Sequence, residues 1–238
     1  MMTDVVFLGA NAVGDRIYDW LTDRKDTHVI AMLTEADQLS VIGQLEPALI
    51  VSAGFRHVVP ENVLKIPERG AINCHLSYLP FNRGMNPNVW GIIGDHPAGV
   101  SIHYMTSEVD AGPIIDRRKV EVRPDDTGRT LYDRLCEVQV SQFKEIWPAL
   151  LEGEIRVTDQ NQVEGTYHHQ RDFTDLWEID REEKIRTGDF LDRLRALTFP
   201  PFTNAYFEVN GARYYVDVSI QRKNKTDDSD GRIPAYEE

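Results

Sequence analysis

Cysteine is nearly missing from this 238-residue chain: Cys74 and Cys136 stand far apart, each inside a regular apolar element. A disulfide framework is therefore excluded and a reducing compartment expected. Neither cysteine has a Cys or His partner at zinc-ligand spacing, and His168-His169 lack paired carboxylates, so no metal site is expected. Strand alternation turns Cys74 away from its neighbours Asn73 and His75, which reads as packing and not as a nucleophile. Long apolar runs are absent too. No stretch approaches the ~18 residues of a membrane span, and Met1-Met-Thr-Asp-Val-Val6 has neither the basic start nor the apolar core of a leader. A soluble, cytoplasmic protein without a membrane partner is the expectation. Basic runs are equally scarce, Arg117-Arg118-Lys119 being the longest, and 26 Lys and Arg against 39 Asp and Glu leave a formal charge of −13. A polyanion would meet net repulsion, so no nucleic-acid partner is expected. One glycine is also missing: in the turn Gly9-Ala-Asn-Ala-Val-Gly14, Asn11 occupies the second glycine position of the dinucleotide fingerprint, which withdraws support from a nicotinamide dehydrogenase.

The composition that remains, 41% hydrophobic and 27% charged, is that of an ordinary globular protein with one substantial core and a small appendage. Strand and helix patterns alternate through the first half. Val5 to Leu8, His28 to Leu33 and Ala48 to Ser52 read as strands and Val13 to Leu21 as a helix, which predicts a mainly parallel α/β sheet with helices on both faces. From Thr127 to Leu151 the residues Leu131, Leu135, Val138, Phe143, Trp147 and Leu150 recur at helical spacing, a long helix covering that sheet. Leu151-Glu-Gly-Glu154 ends it. The domains expected are 1–152, a catalytic unit; 153–222, a small unit with a helix from Phe190 to Leu197 and a hairpin turning at Asn210-Gly211; and 223–238, a mobile tail.

The chemistry concentrates in Ala71-Ile-Asn-Cys-His-Leu-Ser-Tyr-Leu-Pro-Phe-Asn-Arg-Gly84 and Val109-Asp-Ala-Gly-Pro-Ile-Ile115. Ala71 to Cys74 reads as a strand that breaks into a loop, placing Asn73 and His75 on one side. A second strand, Val100 to Met105, read as a parallel neighbour, would deliver the Asp110 turn to the same edge. An amide, an imidazole and a carboxylate then face one reacting atom. Asn73 can donate to a developing oxyanion, His75 can carry or release a proton near neutral pH, and Asp110 can orient and support the histidine. Whether His75 or Asp110 is the formal base is open at this level. Each residue alone also fits a structural role: a strand-end cap, a packed ring, an ordinary turn. His103, in an apolar strand, reads as core or as support behind the trio.

The set Asn73, His75, Leu79-Pro80 and Asp110-Ala-Gly112, in that order and spacing, resembles the N10-formyltetrahydrofolate-dependent formyltransferases over residues 1 to about 152. The resemblance implies a Rossmann-like catalytic domain, N10-formyltetrahydrofolate as formyl donor, transfer to an amine through a tetrahedral intermediate, and Asn73, His75 and Asp110 as catalytic residues. It further implies a folate pocket lined by Phe55, His57, Val58, Val59, Met105 and Asp110. Within that family, the Asn82-Arg-Gly-Met-Asn86 loop and the short, non-basic C-terminal extension look most like the nucleotide-sugar N-formyltransferases of polysaccharide biosynthesis. The acceptor implied is a nucleotide-linked amino-deoxysugar, held by Asn11, Tyr78, Asn82, Arg83, Gly84, Asn86, Trp90 and Tyr206, in a homodimer built through the C-terminal unit. Formylation of glycinamide ribonucleotide, a folate-dependent hydrolase, and an inactive folate- or nucleotide-binding module are the alternatives. Nothing in the residues selects the nucleotide or the position of the amine.

Overall fold

The computed structural model describes residues 2–160 and 165–223. The expected mobile tail lies, from residue 224 on, outside the described residues. The first half alternates as the pattern predicts: β1 (Thr3–Leu8), α1 (Ala12–Thr22), β2 (Thr27–Leu33), a 3₁₀ turn running into α2 (Ile42–Leu45), β3 (Leu49–Ala53), α3 (Glu61–Leu64) and β4 (Ala71–His75). There follow β5 (Arg83–Gly84), α4 (Pro87–Ile93), β6 (Gly99–Tyr104), β7 (Ile114–Lys119) and the 25-residue α5 (Gly128–Glu152). Beyond it come β8 (Tyr167–His168), α6 (Gln170–Thr174), α7 (Thr187–Leu197), β9 (Tyr206–Val209) and β10 (Ala212–Tyr215).

One six-stranded sheet, in the order β2-β1-β3-β4-β6-β7, carries the molecule. Its central strands are mostly apolar because both faces are covered, and side-chain alternation sorts the apolar residues into two layers. Val5, Phe7 and Val51 pack with Ile17 of α1 and with Phe143 and Trp147 of α5, whereas Val6, Leu8 and Ile50 meet Leu39, Ile42 and Val63 on the other face. The long helix begins where Thr127 and Thr130 cap each other's backbone N–H groups and stops at Gly153, whose φ of +73° is left-handed.

The strand directions correct one expectation. β1, β2, β3 and β4 are parallel, but β6 runs antiparallel to β4, with His75 opposite Ser101 and Ile72 opposite Tyr104. A parallel crossover must carry the chain back along a whole strand of roughly 17 Å, and a seven-residue helix such as α4 covers only ~10 Å. The chain therefore starts β6 at the edge where β4 ends. Asp110 still arrives at the site, by another route. Residues 105–113 leave the far end of β6, where Met105 N–H donates to Ala71 O at 2.7 Å, and the loop turns back over the sheet into β7. Gly112 makes that return possible, since a Cβ there would stand 1.9 Å from the carbonyl oxygen of Tyr104.

The C-terminal unit is fastened to the first. Arg195 of α7, 7% exposed, donates to the carbonyls of Arg123 and Asp126 at 3.2 and 3.0 Å, ahead of α5. Gly128 lies so close to α7 that a Cβ would meet Ala196 O at 2.2 Å. The hairpin turns at Asn210 and Gly211 with φ of +51° and +78°, as an Asn-Gly turn of this kind requires.

Candidate active site

The strand ends and loops enclose a cavity of about 430 Å³. A larger hollow of about 590 Å³ beside Trp20 and Arg24 is shallow and brings no reactive set together. The 430 Å³ cavity has Asn73, His75, His103 and Asp110 along its wall. Asn73 and His75 share a face of β4, and the antiparallel register sets His103 directly opposite Asn73, so three polar side chains emerge side by side from a buried sheet. The Asp110 loop closes on them.

Asp110 joins the cluster. Its Oδ1 accepts from Asn73 Nδ2 at 3.3 Å and lies 3.4 Å from His103 Nε2; its Oδ2 accepts from Gly84 N–H at 3.0 Å and lies 3.6 Å from His75 Nδ1. His103 Nδ1 donates to the Tyr104 carbonyl at 2.8 Å, which directs Nε2 towards Asn73 and Asp110. His75 Nε2 is 3.3 Å from the carbonyl oxygen of Asn82.

Burial pushes His75 below the ordinary histidine pKa, with His103 adding to the effect and the Asp110 carboxylate and Asn82 carbonyl opposing it. The imidazole is thus a free base at neutral pH. Burial alone would raise the Asp110 carboxyl, but His75, His103 and the Gly84 N–H together hold it well below the usual carboxylate range. A neutral imidazole beside a fixed carboxylate can take a proton from an amine, and the Asn73 amide can donate to a developing negative charge. The cysteines have no part in this. Burial drives the Cys74 thiol far up and holds Cys136 at about 11, so neither forms a thiolate near neutral pH.

Phe55, His57, Val58, Val59 and Met105 all line the cavity with Asp110, and so do Asn11, Gly84 and Asn86. Asn11 also caps α1, its Oδ1 accepting from Val13 and Gly14 N–H at 3.1 and 2.8 Å. The remaining sequence candidates lie off the cavity wall. Tyr78 packs under Arg117, 4.5 Å from the guanidinium to the ring centre. Asn82 is buried, and Arg83 meets Glu108 at 3.3 Å. Trp90 stacks on His168 at 4.0 Å and donates its N–H to Met85 O. Tyr206 belongs to the hairpin, with Arg213 over its ring. Among the lining residues that the sequence reading did not name as contacts are Tyr132, on α5 beside its apolar stripe, Asn88, Arg56, Glu108, and Tyr167, which follows α5.

Comparison with known proteins agrees with this geometry. A family model described as formyl transferase matches residues 22–146, and one described as N-formyltransferase dimerization C-terminal domain matches residues 172–222. The chain is 32% identical over 216 residues to a methionyl-tRNA formyltransferase of Bacillus mycoides, covering 87% of this chain and 64% of that protein. It thus spans less than two thirds of the curated relatives it matches. Among solved structures, a formyltransferase from Anoxybacillus kamchatkensis, in complex with UDP-4,6-dideoxy-4-formamido-L-AltNAc and tetrahydrofolate, is 33% identical. Its TM-score is 0.63, over 72% of this chain and 88% of that one. A 4-N formyltransferase from Francisella tularensis superposes with a TM-score of 0.85 over 93% and 99% of the two chains; at 23% identity it speaks for the fold. With a family match over more than half its length, residues 22–146 of 238, the chain belongs to the formyl transferase family.

Proposed function

We propose that this protein transfers a formyl group from N10-formyltetrahydrofolate to the amino group of a nucleotide-linked amino-deoxysugar. The observation that carries the reading is the buried cluster of Asn73, His75 and Asp110 on the wall of a cavity that Phe55, Val59 and Met105 also line. Phe55, Val59 and Met105 offer apolar surface on the cavity wall, a fit for the ring system of a folate. The folate supplies an activated formyl group. Asn73 Nδ2 donates to the formyl oxygen as charge develops there. His75, as free base, takes the proton of the attacking amine and can return it to the departing nitrogen. Asp110 keeps the ring oriented and stabilises the imidazolium while it exists.

The acceptor assignment draws on the Anoxybacillus relative and its bound formamido sugar nucleotide. Asn11, Gly84 and Asn86 are the proposed sugar-side contacts, joined by Tyr132 and Tyr167. Arg83 is a contact for a diphosphate once it exchanges Glu108 for the ligand. The methionyl-tRNA relatives give a second reading, and the net charge of −13 with no long basic run weighs against it. The match to a dimerization domain supports a homodimer as the working form. The test is formyl transfer from the folate to a panel of dTDP-, GDP- and UDP-linked amino sugars, glycinamide ribonucleotide and methionyl-tRNA, read by mass. A formylated sugar nucleotide is expected, and turnover confined to either of the other acceptors rejects the sugar reading.

A further inference from the structure

After α5, residues on either side of 161–164 make contact with loops of the active site. Thr158 exchanges two main-chain hydrogen bonds with Ile114, both 2.8 Å. Further on, Thr166 O accepts from Arg83 N–H at 3.0 Å, Thr166 Oγ1 from Asn82 N–H at 2.8 Å, and His168 O from Met85 N–H at 2.9 Å. The start of β7, which follows the Asp110 loop, is thereby tied to Thr158, and the loop after β4 to residues 166–168. Beside the first tie stands Gln160, 6% exposed, whose Nε2 donates both its hydrogens, to the carbonyls of Asp110, at 3.2 Å, and of Gly112. The amide orientation follows from its partners, since the reverse would press Oε1 against two carbonyl oxygens.

We propose that Gln160 is a positioning residue for Asp110. Asp110 occupies the left-handed region, φ +52°, which an aspartate adopts only where its surroundings hold it. Its carboxylate serves four partners with two oxygens, and the His75 contact, at 3.6 Å, is the longest of them. A displacement of the Asp110 main chain by a few tenths of an ångström therefore falls first on His75. Gln160 is not on the cavity wall and grips the Asp110 carbonyl, not its carboxylate, so it acts on the reaction through Asp110 alone. Pinning both carbonyls with one buried amide fixes the turn on either side of Ala111.

The kinetic arm of the test rests on the formyl-transfer reading; the spectroscopic arm does not. In the full chain, Gln160→Leu keeps the side-chain volume and removes both donors. The His75 imidazole pKa, read by nuclear magnetic resonance, is expected to fall in Gln160→Leu towards its value in Asp110→Asn, because the opposing carboxylate has moved away. With the folate donor, kcat should drop about tenfold or more while the acceptor KM stays within about twofold. In an Asp110→Asn background, Gln160→Leu should cost less than about twofold further. An unchanged His75 pKa, or a kcat loss that adds in full to that of Asp110→Asn, overturns the proposal. Should Gln160→Leu not fold, Gln160→Met is measured in the same way, and the same two results support or overturn the proposal. A wild type that formylates no acceptor defeats the formyl-transfer reading, and the His75 titration still decides the role of Gln160.

Discussion

In the proposed reaction Asp110 and His75 divide the work of one buried site between a fixed anion and a neutral base, and substitutions probe each. Deleting either function without deleting core volume, in His75→Asn or Asp110→Asn, should lower kcat by at least about a hundredfold and leave the fold intact by circular dichroism. Asn73→Ala removes one oxyanion donor and should cost on the order of 10²–10³ in kcat; a change confined to KM would restrict Asn73 to binding. The pH dependence carries the same signature. His75 titrates below its ordinary 6.5, so kcat/KM should rise with pH through an inflection below that value and be level by neutrality. Protonating His75 is harder in the folded protein than in the unfolded chain. The stability it contributes is therefore present above about pH 6.5 and lost as pH falls through the depressed value. Asp110, also depressed, adds a second loss at lower pH, below the usual carboxylate range. Denaturant unfolding of the wild type and of His75→Asn across that range measures the first loss: the wild type should weaken more steeply, and parallel curves would remove His75 as its source.

At the level of elements, local pattern and nonlocal geometry part company. The apolar runs at Val5–Leu8 and Leu49–Ala53 and the helical stripe from Leu131 to Leu150 were legible because period and burial are local properties. The direction of β6 was not, since a strand buried on both faces reads alike in either sense and the short α4 decides it. His103 meets Asn73 and Asp110 only through that antiparallel register, and Tyr132 and Tyr167 reach the cavity, and Gln160 the Asp110 carbonyl, only from segments distant in the chain. Asn73, His75 and Asp110, read from their resemblance to a known order of motifs, do come together on the cavity wall. Of the residues read as acceptor contacts, Asn11, Gly84 and Asn86 line the cavity, whereas Trp90 and Tyr78 lie in packed layers away from it, a placement set by loop conformation. Gly112 tests whether the return of the Asp110 loop depends on close approach. Gly112→Ala puts a Cβ 1.9 Å from the Tyr104 carbonyl oxygen, so the loop must shift. The expected cost is about 1–3 kcal/mol of stability, with a loss of kcat as Asp110 moves. Gly188→Ala, near the start of α7 with nothing within 4 Å of the added carbon, is the control, neutral or mildly stabilising.

Across the whole molecule, the C-terminal unit combines a small inner core with exposed aromatic residues. Its inner side is stitched down: Leu194, Leu197 and Ala205 form a small core, and β9 is tied through Tyr206 N–H to Trp177 O at 2.8 Å and Ile179 N–H to Tyr206 O at 2.7 Å. Phe202, Tyr214 and Tyr215 are 63%, 50% and 53% exposed, aromatic surface of the kind that marks association. Two substitutions of different reach separate folding from assembly. Truncation before Tyr206 removes the hairpin and uncovers Leu194 and Leu197, so a monomer or aggregate is expected on light scattering. Tyr214→Glu with Tyr215→Glu leaves the inner core untouched and places two carboxylates on the outer strand. It should convert a dimer into a well-folded monomer that still binds folate, because the cavity is built by other elements. A double variant that scatters as the wild type does would move the subunit contact off this hairpin, whereas loss of folate binding on dissociation would show that a partner subunit braces the cavity itself.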